Sequence, residues 1–190
     1  MKSLVDILRP IQKMNIVRDI VTEDGNFPNN GRLPLLVYLG AFQIGEENET
    51  ETIKELLETN SWTNAWVNGI YDYHHYHSTA HEILVTLNGS CRVQFGGPNG
   101  ITLNLEKGDV AIIPAGVAHK KIDDADGFQC LGAYPEGQEY DMNYGKVEER
   151  RAADENIRKV PMPENDPLYG YDGPLIKNWR SENDQNPSVL

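Results

Sequence analysis

The sequence predicts an all-β fold with a few helices, built as an antiparallel sandwich or barrel of short strands. Three observations carry this expectation. Between residues 62 and 134, short β-branched and aromatic runs alternate with turn signals at close spacing. The turns themselves are explicit: Asn88-Gly89, Gly96-Gly97-Pro98-Asn99-Gly100, Glu106-Lys107-Gly108 and Pro114-Ala115-Gly116. Third, the 190-residue chain holds 17 Gly and 11 Pro and is only 39% hydrophobic, which fits one domain with many turns and extended, thinly packed arms.

The elements follow in order. Residues 1–30 combine an amphipathic start (Leu4, Val5, Ile7, Leu8, Ile11) with a turn cluster at 23–31. Residues 33–42 read as a strand, with Pro34 at its start, where a missing N–H is tolerated. Residues 49–60 read as a helix, because Ile53, Leu56 and Leu57 fall at i, i+3 and i+4 and form one apolar stripe. Strands are expected over 65–76, 82–87, 91–95, 101–105, 109–113, 119–122 and 128–134. Residues 146–159 are highly charged and helical in pattern. Four prolines in 160–174 forbid a regular helix there. Yet Leu168, Tyr169, Tyr171, Leu175, Ile176 and Trp179 are too apolar for a solvated tail. This arm is expected to pack on the barrel or on a neighbouring subunit of a homodimer, and in the second case a chain lacking 160–190 would be a soluble monomer. Residues 181–190 are expected to be loose. The organisation is then a single domain: 1–60 as N-terminal strands and helix on the barrel, 61–135 as barrel core, and 136–190 as C-terminal helix and arm.

Composition excludes some partners. A net charge of -12 repels a nucleic-acid backbone or an anionic membrane. No apolar run approaches the ~20 residues of a membrane span. Residues 1–15 carry a polar or charged side chain every few positions and do not read as a secretory signal, so a soluble cytoplasmic protein is expected. Cys91 and Cys130 lack CxxC spacing and are expected to be reduced, buried thiols.

The chemistry lies in residues 69–89, GIYDYHHYHSTAHEILVTLNG, and 108–119, GDVAIIPAGVAH. In an extended chain, residues i and i+2 share a face, so His75 and His77 can reach one point. A carboxylate and a third imidazole from neighbouring strands would complete a mixed nitrogen and oxygen site, suited to zinc, iron, manganese or nickel. The bland alternative is a surface loop with His74, His75 and His77 exposed. Tyr71 and Tyr73 share the parity of His75 and His77, and Lys121 that of His119. These three are candidate substrate contacts, with barrel filling for the tyrosines and solvation for the lysine as alternatives. Gly89, Gly108 and Gly116 read as turn makers.

These two segments resemble the motifs of the cupin family (RmlC-like). The first motif is G, five residues, HxH, three or four residues, E, six residues, G, matched from Gly69 through His75, His77 and Glu82 to Gly89. The second is G, five residues, PxG, two residues, H, three residues, N, matched from Gly108 through Pro114, Gly116 and His119, with Asp123 in place of the Asn. The segments DGNFPNNGRLPLLVY, HYHSTAHEILV, GDVAIIPAGVAHKK, GAYPEGQEYD and VPMPENDPLYGYDGPLIKNW look like the YjlB-like cupins. The resemblance implies a double-stranded β-helix, or jelly-roll barrel. It also implies one divalent transition metal (Fe, Mn, Ni or Zn) on His75, His77, Glu82 and His119. His81 competes with Glu82, because some cupins place a histidine at the shorter spacing. The six-residue interval back from Gly89 favours Glu82, while strand alternation leans to His81, whose face carries Ile83, Val85 and Leu87. No catalytic residue is identified beyond this set.

Two functional classes stay open. One is a small-molecule enzyme, an oxygenase or an isomerase/lyase acting on a metal-chelating substrate, and this is the leading expectation. The other is a non-catalytic metal-dependent binding protein or sensor. A storage role is disfavoured by the intact ligand set. A DNA-binding regulator is disfavoured by the acidic charge and the lack of a helix-turn-helix pattern.

Overall fold

The computed structural model describes residues 3–45 and 49–180. The tail expected to be loose, 181–190, lies outside the described residues, as does the beginning of the amphipathic start. Among the described residues seven strands form one antiparallel, rolled sheet: β1 (Asn15–Val21), β2 (Asn30–Leu39), β3 (Trp62–Asn68), β4 (Glu82–Phe95), β5 (Ile101–Glu106), β6 (Val110–Ile113) and β7 (His119–Pro135). Their order is β1-β2-β6-β4-β7-β3, with β5 paired to β4. Among the described residues four α-helices accompany them: α1 (Leu4–Ile7), α2 (Thr50–Thr59), α3 (Arg150–Lys159) and α4 (Pro174–Trp179).

Strand β4 organises the barrel. Its first residues, Glu82 to Val85, pair with β6, its last residues pair with β5, and β7 runs beside it for most of its length. The turn signal at 88–89 and the gap between the expected strands 119–122 and 128–134 do not end strands; β4 and β7 pass through them with register shifts, so that four expected short strands become two long ones. Such shifts bend a strand and let one chain serve both sides of a barrel.

Alternation along the strands sorts the apolar residues into two cores. Leu35, Val37, Leu84, Val93, Phe95, Ala111 and Ile113 fill the barrel interior. The residues between them, including Leu36, Tyr38, Ile83, Val85, Val110 and Ile112, face outward and are equally buried. What covers them is α2, through Ile53, Leu56 and Leu57, and the C-terminal arm, through Leu168, Leu175, Ile176 and Trp179.

Two departures from the sequence expectations have plain causes. Strand β1 falls in residues 1–30, where the sequence places no particular strand, because Ile16, Val17, Ile20 and Val21 enclose Arg18 and Asp19 in neither a period of two nor a helical one. Pro34 sits inside β2 and not at its start, but it falls where the ladder with β1 is broken, between the pairs Asp19↔Leu35 and Val21↔Asn30. Its carbonyl accepts a hydrogen bond from Trp179 Nε1 at 2.9 Å.

The arm docks on its own barrel. Trp62 Nε1 donates to the Asn165 carbonyl at 3.0 Å. Asp166, fully buried, accepts from Tyr38 Oη at 2.7 Å and from the backbone N–H groups of Leu168, Tyr169 and Leu175 at 2.9, 3.0 and 2.9 Å. Residues 160–173, with three prolines, lack helix, and a short helix, α4, follows with the fourth, Pro174, at its first position.

Candidate metal centre

The site stands at one end of the barrel interior. His75 lies just before the barrel strands resume, where it pairs with the first residue of β7. His75 N–H donates to the His119 carbonyl at 3.2 Å and His119 N–H to the His75 carbonyl at 2.9 Å. Residues that exchange both bonds in an antiparallel pair stand side by side on one face. The two imidazole rings are accordingly 4.2 Å apart. His77 follows two residues later on the same face, and its carbonyl accepts from Gly116 N–H at 2.8 Å. Gly116 has φ +93°, and a Cβ there would lie 2.5 Å from the Asn29 carbonyl, so the PxG turn that delivers His119 requires glycine.

Each of the imidazoles of His75, His77 and His119 turns its Nδ1 to a backbone carbonyl. His77 meets Asp141 O at 2.6 Å, His75 meets Tyr73 O at 3.2 Å, and His119 meets Val117 O at 3.3 Å. A carbonyl only accepts, so Nδ1 carries the proton and a neutral ring presents a bare Nε2 lone pair. Ring nitrogens of all three lie within 4.8 Å of one another. Glu82, the first residue of β4, joins them: its Oε2 is 3.3 Å from His119 Nε2 and 3.5 Å from His77 Nε2. Its Oε1 accepts from Tyr134 Oη at 3.1 Å, and Tyr134 in turn accepts from Trp66 Nε1 at 2.9 Å. Oε2 is buried and holds no hydrogen bond within the protein.

Electrostatics follow from this packing. Burial, reinforced by the His119 and His77 rings, pushes His75 down to about 3, which keeps it a neutral donor of its lone pair. Burial alone would raise the Glu82 carboxyl, but positive charge facing its Oε2, on the His77 and His119 rings when protonated, outweighs it and holds the group well below the usual carboxylate range. For His77, burial would lower the value, yet the Glu82 charge and the Asp141 carbonyl outweigh it and raise it.

The competitor to Glu82 points elsewhere. His81 Nδ1 accepts from Ala115 N–H at 2.9 Å, and its ring packs 4.7 Å from that of Trp179, under the arm. Burial pushes it down to about 3. His74 packs against Phe27 at 5.5 Å, away from the cluster. Cys91 and Cys130 are free and buried, and burial pushes the Cys91 thiol up to about 12.

A cavity of about 220 Å³ opens over the cluster, lined by His75, His77, Glu82 and His119 at its base and by Trp66, Tyr71, Tyr134, Tyr140 and Met142 around them. Of the candidate substrate contacts, Tyr71 lines it. Tyr73 stacks on Tyr71 at 4.9 Å outside the lining, and Lys121 is held in an ion pair by Asp124 on the surface. Sequence reasoning missed Trp66, Tyr134, Tyr140 and Met142. Tyr134 was accessible through parity, since it lies four residues after Cys130, an interior residue of the same strand. Between them, Gly132 leaves room for the indole of Trp66: a Cβ there would sit 2.2 Å from Trp66 Cζ2.

The rolled antiparallel barrel, with three histidines and a glutamate gathered inside it, defines a cupin, and the sequence profile of the family described as Cupin matches residues 67–133. The uncharacterised protein YjlB of Bacillus subtilis (strain 168) is 40% identical over 157 residues, covering 83% of this chain and 92% of that one. The chain belongs to the YjlB-like cupins. Among solved structures, it is similar to an acireductone dioxygenase from Bacillus anthracis with a cadmium ion in its active centre. That match has 16% identity, 50% of this chain, 64% of that chain and a TM-score of 0.38. It is also similar to a variant of Bacillus subtilis oxalate decarboxylase OxdC, with 15% identity, 59% of this chain, 28% of that chain and a TM-score of 0.37. Among the described residues no helix is long and apolar enough to cross a membrane.

Proposed function

We propose that this cupin holds one divalent transition metal on His75, His77, His119 and Glu82 and acts there on a small molecule, as an oxygenase or an isomerase/lyase. The observation that carries the reading is the buried Glu82 Oε2, which has no hydrogen bond within the protein and stands beside Nε2 of both His77 and His119. An unpaired buried carboxylate oxygen costs several kcal/mol unless a cation meets it. The fit is good on chemistry as well: three imidazoles and one carboxylate suit a borderline divalent ion, and Nδ1 bonds to carbonyls are the outer contacts that orient such ligands. A metal bound by four protein groups would supply Lewis-acid polarisation of a substrate oxygen or, if redox-active, electrons for dioxygen chemistry. The chain's own residues do the rest. Tyr134 holds Oε1 of Glu82 and so aims Oε2 at the histidines, and the aromatic walls limit water around the base of the cavity.

One observation favours a binding protein or sensor as the second reading. Beyond the ligand set, the cavity is lined by aromatic, aliphatic, thioether and amide groups, with no second carboxylate or lysine among the described residues to move protons.

The test is elemental analysis of untagged protein purified without chelators, with and without air. Near-stoichiometric iron, manganese, nickel or zinc is expected. Protein that contains none and takes none up on reconstitution would sink the proposal. Turnover of a chelating substrate by the loaded protein separates the enzyme from the sensor.

A further inference from the structure

The metal reading leaves open what the cavity accepts, and the inference below rests on that reading while naming the ligand class. Four aromatic side chains, Trp66, Tyr71, Tyr134 and Tyr140, line the cavity. Two of them are fixed by their neighbours: Tyr134 by its bonds to Glu82 and Trp66, and Trp66 by its fit over Gly132. The other two are about half exposed, Tyr71 at 52% and Tyr140 at 49%. Tyr140 stacks on Tyr134 at 4.8 Å and meets the edge of His77 at 4.9 Å, so an aromatic wall runs from this half-exposed ring to the histidines.

Charge points the same way. Among the described residues the lining holds no lysine or arginine, and Glu82 is its only acidic side chain. Neither Lys120 nor Lys121, which follow His119 in the chain, lines the cavity, and Lys121 is bound to Asp124 instead. Apart from a metal on the four ligands, whose charge Glu82 offsets in part, an anionic ligand would enter past aromatic rings, in a chain of net charge -12, with no side-chain cation in the lining to replace its water. A neutral ring loses little on desolvation and gains roughly 25 cal/mol per Å² of apolar burial, with stacking adding about 0.5–1.5 kcal/mol. Size sets the scale: an apolar cavity of about 150 Å³ takes a benzene ring, so 220 Å³ accommodates one substituted ring.

We propose that this cavity selects an uncharged, flat, single-ring molecule, and that Tyr140 is a specificity-determining residue for it.

The test titrates full-length protein as isolated with p-cresol, a neutral ring lacking a chelating pair, and with malonate, an anionic chelator lacking a ring. Binding is followed by calorimetry, and metal content is measured on the same samples. The expected result is saturable p-cresol binding, with malonate at least about tenfold weaker. Tyr140→Ala should weaken p-cresol about tenfold, whereas Tyr140→Phe, which keeps the ring, should retain it. Malonate binding as tightly as p-cresol, or Tyr140→Ala leaving p-cresol unaffected, would overturn the proposal. Metal-loaded protein that ignores p-cresol overturns this inference alone. Protein that binds p-cresol yet takes up no metal supports the ring selectivity and overturns the metal reading instead.

Discussion

Replacing His77 or His119 by alanine is expected to abolish metal retention. Each supplies a bare Nε2 held in place by a backbone carbonyl on Nδ1, and each flanks the unpaired oxygen of Glu82. Loss of an outer partner alone costs such sites about 10–100-fold in affinity, so loss of a ligand should exceed that and leave purified protein empty. The sharper comparison is Glu82→Gln against His81→Ala. Glutamine keeps the shape of Glu82 and its bond to Tyr134 but removes the charge, so metal content should fall steeply. His81→Ala should keep its metal and lose stability instead, because His81 fills the space beneath Trp179 and accepts the Ala115 N–H. Elemental analysis and a denaturant melt of each variant separate the two effects. Metal lost from the His81 variant, with the Glu82 variant still loaded, would overturn the ligand assignment.

That pair of residues also shows where a sequence is a poor guide. The spacing back from Gly89 pointed to Glu82, while strand alternation pointed to His81; in the folded barrel Glu82 faces the other histidines and His81 packs on Trp179, and the packing shows why alternation is a weak guide here. Period-two patterning identifies the interior only when the other face of the strand is wet. In β4 both faces are dry: Leu84 looks into the barrel, while Ile83, Val85 and Leu87 lie under α2 and the arm. The histidine and glutamate cluster was legible because its residues sit close together in two short motifs whose turns need glycine. The upper cavity was not. Trp66, Tyr134 and Tyr140 come from β3, β7 and the loop beyond β7, and only the folded barrel brings them together. The merging of short strands into long ones is a related case. Turn-forming residues such as Asn88-Gly89 usually end strands, but here Asn88 Nδ2 donates to the Asp126 and Gly127 carbonyls, and the paired bulges carry both strands onward.

Loss of the arm is expected to unfold the protein and not merely to release a monomer. The arm covers the outward face of the sheet, where Leu36, Tyr38 and Trp62 would otherwise meet water. Its anchor is Asp166, whose carboxylate satisfies one tyrosine hydroxyl and three backbone N–H groups away from solvent. Burial pushes this carboxyl above its usual range even against those four donors, which marks how dry the position is. Asp166→Ala strands all four donors, and with about 1–3 kcal/mol for each buried group left unpaired, partly relieved by relaxation, the loss should reach about 3–5 kcal/mol. That is a large share of the roughly 5–15 kcal/mol by which a domain is stable. Trp179→Ala removes a buried indole, its bond to the Pro34 carbonyl and its contact with His81, for a similar cost. A chain ending at residue 159 combines these losses and should be insoluble or lack a cooperative melt. Asp166→Asn keeps one acceptor oxygen and the side-chain shape, so it should fall between wild type and alanine. Urea unfolding of the two Asp166 variants, with sedimentation of the truncated chain, provides the check. A truncated protein that melts cooperatively as a monomer from a wild-type dimer would mean that the arm acts across a subunit boundary, and the docking described here would not be its role in solution.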